Sequence, residues 1–204
     1  MTGARAEVTD EALMIRYQRG DGSAFAQLVR RHQTALYNFA FRQLGTTQLA
    51  EDVVQDAFVR VVQNAADFKH EARFTTWLYT IARNLCIDQM RKRALRRHPS
   101  LDEPRTADEG DGPTLGEQTA DGTVNVERDA GGSEIKQRIA KAVEALPDDQ
   151  REVFLMRELG NLPFKEIAEI TGVPENTVKS RMRYALERLQ EALCEYEEYA
   201  RALR

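Results

Sequence analysis

The sequence predicts an all-α chain, built as two small helical domains joined by a flexible acidic linker. Three observations carry this reading. Apolar residues recur at intervals of three and four in both the first and the last part of the chain. Nothing alternates with period two for long, so the valine pairs and lone threonines do not make strands. Between Pro99 and Gly132 large apolar side chains nearly vanish while Gly, Asp, Glu, Thr and Pro accumulate. Such a stretch cannot bury enough surface to offset its ordering entropy. The boundaries that follow are a disordered tail over residues 1–8, a first domain over 9–98, a linker over 99–132 and a second domain over 133–204.

Each element has its own signals. Thr9 can cap a first helix carrying Leu13, Met14 and Tyr17, and Gly20 suits its end. Asp21 or Ser23 can cap the second, whose Phe25, Leu28, Val29, Leu36, Phe39 and Ala40 follow helical spacing. Gly45 and the Thr46-Thr47 pair interrupt the pattern. A third helix then places Leu49, Val53, Val54, Ala57, Phe58, Val61 and Val62 on one face. A polar interval around Asp67 to Glu71 precedes a fourth helix from about Phe74 to Arg97, with Phe74, Trp77, Leu78, Ile81, Leu85 and Met90 at helical spacing. The pattern restarts at Ser133. Ile135, Ile139, Val143 and Leu146 form a helix that Pro147 ends. Asp148 or Asp149 opens the next, with Val153, Phe154, Met156 and Leu159, and Gly160-Asn161 stops it. Pro163 is tolerated at the start of a helix running to about Thr171, and Pro174 begins the last, to roughly Arg201.

Composition excludes several functions. The apolar runs fall far short of the roughly 18–20 residues of a membrane span, and no basic-then-apolar leader opens the chain, so a cytoplasmic location is expected. Cys86 and Cys194 lie far apart without ligand-spaced partners, and His32, His70 and His98 are scattered. Neither a disulfide nor a metal or cofactor site is expected, and both cysteines read as small apolar residues on helices. No paired carboxylates, nucleophile with base, or phosphate-cradling glycine loop is present, so no enzymatic activity is expected.

The formal net charge of −4 seems to argue against nucleic acid, but the average conceals a contrast. From Arg73 to Arg97 the bases Arg73, Arg83, Arg91, Lys92, Arg93, Arg96 and Arg97 face only Asp88. From Pro99 to Glu134 the acids Asp102, Glu103, Asp108, Glu109, Asp111, Glu117, Asp121, Glu127, Asp129 and Glu134 face only Arg105 and Arg128. A basic segment thus abuts an acidic one, which can shield it or thread near a cationic channel.

Three segments carry chemistry. The strongest runs from Phe164 to Arg181. Ala168 supplies the small residue where two steeply crossing helices touch, Gly172 the positive φ of the turn, and Ile167, Val173 and Val178 the apolar clamp. This is a helix-turn-helix. The helix after the turn shows Asn176, Thr177, Lys179, Ser180, Arg181 and Arg183 on its outer side, early in an element sized for the major groove. The second segment, Arg73 to Arg93, interleaves aromatics with bases and short polar groups, which suits single strands whose bases can stack. Trp77 and Phe74 also suit a core, and Arg91 to Arg97 suit phosphates better than base edges. The third segment, Ala50 to Arg60, is amphipathic with an acidic outer face.

Taken together, these motifs resemble a bacterial RNA polymerase sigma factor of the extracytoplasmic-function (ECF) group, the minimal kind with two domains. The likeness covers about Leu13 to Arg97 and Ser133 to Leu193, with the motifs Ala50 to Val62, Phe74 to Arg93 and Phe164 to Leu189 in the expected order. The first domain would then be a sigma region 2 bundle and the second a region 4 helix-turn-helix. The resemblance implies an alternative-sigma transcription initiation factor that binds core polymerase, directs it to specific promoters and helps melt them. It places Asp52, Gln55, Asp56 and Phe58 on the clamp coiled coil of the largest polymerase subunit. It gives Lys69, Arg73, Thr75, Trp77, Tyr79, Arg83, Asn84, Asp88, Arg91 and Arg93 to minus-ten recognition and melting, with Asn84 and the loop near Lys69 to Thr75 at an unstacked non-template base. It gives Asn176, Thr177, Lys179, Ser180, Arg181, Arg183 and Tyr184 to the minus-thirty-five duplex. Tyr184 stands where family members often carry Arg, and Asn176 where many carry Gly. Members are commonly held inactive by an anti-sigma protein, so such a partner is expected beside polymerase and promoter DNA. The alternative is a stand-alone helix-turn-helix regulator, which leaves Ala50 to Arg93 without a task.

Overall fold

The structure, a computed structural model, describes residues 8–69, 73–97 and 130–202. Residues 1–7 of the tail reading and 99–129 of the linker reading lie outside these. Helices make up the secondary structure of the described residues, and no strand occurs among them.

Four helices form the first unit. Helix α1 spans Asp10–Gln18, and the Thr9 hydroxyl caps it by accepting from the Ala12 N–H at 3.3 Å. Helix α2 spans Gly22–Leu44 and opens on Asp21, whose carboxylate accepts from the Ser23 and Ala24 amides. Its end is Gly45, at φ 75°, whose N–H returns to the Phe41 carbonyl. Helix α3 spans Thr47–Gln63, and a 3₁₀ turn at Ala65–Asp67 leads towards α4, Phe74–Arg97. Glu11 of α1 reaches across to accept the Phe74 N–H at 3.1 Å, so α4 receives a cap from another helix.

Helix α2 is the centre of this unit, packed on α1, α3 and α4. Leu28, Leu36 and Phe39 of α2, Val53 and Val61 of α3, and Phe74, Leu78 and Tyr79 of α4 are buried together, while Ala50 and Ala57 let α3 approach closely. Phe68, in what the sequence presents as a polar interval, is buried as well. Its ring lies 5.2 Å from Trp77 and 6.2 Å from Phe74, and Gln18 holds its carbonyl.

Four helices form the second unit. Helix α5 spans Ala130–Glu144, three residues longer at its start than the expected restart at Ser133. Helix α6 spans Asp148–Glu158, α7 Phe164–Thr171 and α8 Glu175–Ala202. Gly172 adopts φ 72° between α7 and α8, and its N–H bonds the Ala168 carbonyl at 2.9 Å. Ile167 and Val178 are fully buried on either side of that turn. Cys86, on α4, is buried, and burial and the nearby Glu152 carboxylate push its thiol up to about 12; it is an inert packing group. Cys194 departs from the expected apolar role, lying exposed on α8.

The two units share one continuous core, with α6 against α2 and α7 against α4. Acid sensitivity is built into the first unit. Hydrogen bonds from Ser23 and Arg16 hold the Asp21 carboxyl at about 2, below its ordinary value. Burial pushes Asp10 up, but His32 and Arg31 outweigh it and hold that carboxyl low. A depressed carboxylate stabilises the fold above its unfolded pKa and loses that contribution as pH falls through the folded one. The urea midpoint should therefore decline between about pH 4 and pH 2, and Asp21→Asn should shrink that decline.

Candidate nucleic-acid interface

The turn at Gly172 sets the first turns of α8 at the surface. Because Val178, Met182 and Ala185 face the core, the intervening positions face outwards. Asn176, Lys179, Ser180, Arg183 and Tyr184 are exposed, and Thr177 and Arg181 are half-buried. All the residues expected for duplex reading therefore lie along one end of α8. Lys179 pairs with Glu175 at 2.7 Å, and Ser180 donates to the Asn176 carbonyl. The Arg183 guanidinium stacks 4.8 Å from the Tyr184 ring. Surface pairs of this kind are worth about 0–1 kcal/mol and yield readily to phosphate or base.

Arg181 is held differently. Its Nε lies 3.1 Å from an Asp149 carboxylate oxygen at the start of α6, and this bond fixes the plane of the guanidinium. A fixed plane suits bidentate contact with a guanine edge. Were Arg181 to read a base edge of a duplex, Arg181→Ala would cost about 1–3 kcal/mol of discrimination between duplex sequences. Competition binding on duplex variants checks this, and a uniform loss across sequences would reduce Arg181 to a phosphate contact.

Helix α4 has two polar faces. Asn84, Asp88 and Arg91 recur at four and three along an exposed stripe, with Lys92 and Arg93 beside it. Arg93 also donates to the Leu44 carbonyl at 3.3 Å, helping to close the end of α2. The other face carries Arg73, Thr76, Tyr79 and Arg83, and it is turned towards α6 and α7. Arg73 bonds Glu166 at 2.9 Å and Arg83 bonds Glu152 at 2.7 Å. Tyr79 is 1% exposed, with its ring 5.3 Å from Phe39. In this arrangement Tyr79 is a core residue, because α4 turns it inwards with Leu78 and Ala82. Thr75 and Trp77 are half-buried, and Trp77 belongs to the Phe68–Phe74 cluster. Lys69 is exposed at the edge of the undescribed residues 70–72.

On α3, Asp52, Gln55 and Asp56 are exposed, as the acidic stripe requires. Phe58 is not on that stripe: it is 8% exposed, and its ring meets Phe25 edge-on at 6.1 Å. The surface holds two other apolar groups in its place, Val59 at 44% exposure and Val62 at 43%. Val62 had been expected in the core. The signal lay in the spacing, since Asp52, Gln55, Asp56 and Val59 recur at three, four and seven on one face.

Comparison with known proteins decides the family. Residues 28–96 match the model of sigma-70 region 2, and residues 136–189 that of sigma-70 region 4. The chain is 33% identical over 176 residues to the ECF RNA polymerase sigma factor SigW of Bacillus subtilis, covering 86% of this chain and 92% of that one. The chain belongs to the ECF sigma-factor family. The ECF sigma-E factor of Escherichia coli K12 is 34% identical over 183 residues, covering 89% and 92% of the two chains. Among solved structures, CnrH in complex with the cytosolic domain of CnrY aligns at TM-score 0.63 and 26% identity, covering 91% of this chain and 97% of that one. The sigma factor RpoE of Bartonella quintana, in complex with the anti-sigma factor NepR, aligns at TM-score 0.60 and 29% identity, covering 83% and 96%.

This sigma factor is therefore an alternative-sigma transcription initiation factor with the two-domain, all-helical fold of its family. The stand-alone regulator is not favoured, because region 2 is present as well as region 4. No described helix is long and apolar enough to cross a membrane.

Proposed function

We propose that three surfaces divide the work of initiation. The α3 stripe of Asp52, Gln55 and Asp56, widened by Val59 and Val62, docks on the clamp coiled coil of the largest polymerase subunit. The α8 end from Asn176 to Tyr184 reads the minus-thirty-five duplex. Helix α4, with Lys69 and the chain leading into it, holds the minus-ten strand, Asn84 beside an extruded base and Arg91 and Arg93 on phosphates. Trp77 supports this surface from within the aromatic cluster.

The observation that supports this reading is the separation of the surfaces on different helices, each exposed over its own polar stripe. Two weak DNA contacts tethered through one polymerase gain from effective concentration, and no bond is broken by this chain. Capturing an extruded base offsets a few kcal/mol of unstacking. An anti-sigma factor is a further partner in this proposal, supported by the likeness to RpoE bound to NepR.

Asn84→Ala tests the melting assignment. Holoenzyme carrying it should bind duplex promoter normally yet show roughly tenfold less permanganate-reactive thymine in the minus-ten region, about 1.4 kcal/mol. Equal reactivity in both proteins would remove Asn84 from the melting surface.

A further inference from the structure

Helix α1 reaches the chain on both sides of residues 69–73, and it does so from a single face. Glu11 and Gln18 lie about two helical turns apart, on the side that also carries the fully buried Met14. The Gln18 side-chain amide donates to the Ala65 carbonyl at 2.7 Å and to the Phe68 carbonyl at 3.1 Å, 47 and 50 residues further along the chain. The Glu11 carboxylate accepts the Phe74 N–H at 3.1 Å. Gln18 is otherwise an exposed residue. A surface glutamine normally leaves its amide in water, since ordering so long a side chain costs rotamer freedom and an exposed hydrogen bond returns little. Here the amide is engaged with two distant backbone carbonyls instead.

The residues so held are pinned from a second side. Phe68, extended at φ −66° and ψ 119°, is buried, and its ring lies 6.2 Å from that of Phe74. Phe74 is fully buried, with the His32 ring 5.5 Å away. Each aromatic ring is therefore set in the core while α1 fixes its backbone. At Phe68 the fixed peptide is the one that leads to Lys69. At Phe74 it is the one that follows Arg73, whose own carbonyl accepts the Trp77 N–H at 3.2 Å. Because a peptide group is planar, holding its carbonyl or its N–H also fixes the direction of the neighbouring Cα.

We propose that α1 is the positioning element of the minus-ten surface: Gln18 and Glu11 fix the directions in which Lys69 and Arg73 leave the core, and thereby set its base selectivity. The proposal rests on the assignment of Lys69, Arg73 and Asn84 to the minus-ten strand. Gln18 and Glu11 themselves act through the backbone and touch no DNA. An extruded base is read by how closely its surroundings fit it. Loosening either peptide therefore lowers selectivity before it lowers attraction for the strand's phosphates.

The test uses holoenzyme made from core polymerase and the full chain, selecting from a duplex library randomised over both promoter elements. Gln18→Glu keeps the shape of the side chain but sets a carboxylate oxygen against two carbonyl oxygens. It should lower the ratio of best to worst base at the most selective minus-ten position about tenfold, with the ratios in the minus-thirty-five element unchanged. Gln18→Lys, which supplies an N–H donor again, should keep the wild-type ratio, and Glu11→Ala should lower it. Arg19→Ala, on the exposed neighbour of Gln18, should leave it as in wild type. An undiminished minus-ten ratio in Gln18→Glu overturns the proposal. So does an equal loss in Gln18→Lys, or a fall in both elements together, which marks a general loss of fold. Wild-type protein without base preference at any minus-ten position would overturn the minus-ten assignment itself, and this role of α1 with it.

Discussion

Asp56→Arg is expected to weaken assembly with core polymerase by at least about a hundredfold, roughly 3 kcal/mol. Asp56 stands on the exposed stripe of α3, between Asp52 and Val59. Reversing its charge removes an attraction and sets a cation where the partner is expected to carry one, and like-charge juxtaposition at an interface costs several kcal/mol. The fold should tolerate the change to within about 0.5 kcal/mol, because the position faces solvent. Duplex binding through α8 should persist, since that surface belongs to the other unit. Surface-immobilised core enzyme provides the measurement. Wild-type affinity in the variant would take α3 out of the docking surface.

Phe39→Ala should destabilise the protein by about 3–5 kcal/mol. Phe39 is fully buried on α2, the helix that touches each of the others in its unit, and its ring meets Tyr79 edge-on. Truncation removes apolar surface and leaves a cavity that the rigid α2 and α4 cannot close. A loss of this size is a large fraction of the 5–15 kcal/mol that domains typically hold. Urea unfolding followed by circular dichroism measures it; a change under about 1 kcal/mol would mean the site collapses around the missing ring. The expected loosening of Tyr79 also links this core position to the contact between units.

Much of the fold was legible because its signals are local. Thr9, Asp21 and Gly45 are at the ends of helices as their chemistry predicts, and α4 runs from Phe74 to Arg97 as its spacing indicates. The turn at Gly172, with Ile167 and Val178 packed beside it, follows from a few residues in fixed order. What escaped depends on distant parts of the chain. Phe68 is flanked by polar residues, and only the approach of Phe74 and Trp77 buries it. Phe58 follows its apolar spacing into the core, against Phe25, rather than the docking role the resemblance gave it, while Val62 falls outside the covered edge because an apolar stripe on a helix fixes a face only approximately. Glu152 and Glu166 look like ordinary solvated acids until α6 and α7 set them against α4. No local pattern announces such a pair, and none announces that Gly160 is small for the sake of Tyr79.

The central claim is that this chain confers promoter choice on polymerase through surfaces on α3, α4 and α8. Run-off transcription by purified core enzyme on a promoter library, with and without the protein, tests it most directly. Transcripts should start from a discrete set of points that appear only with the protein, share two spaced sequence elements, and disappear with Asp56→Arg. Start points identical with and without the protein would contradict it.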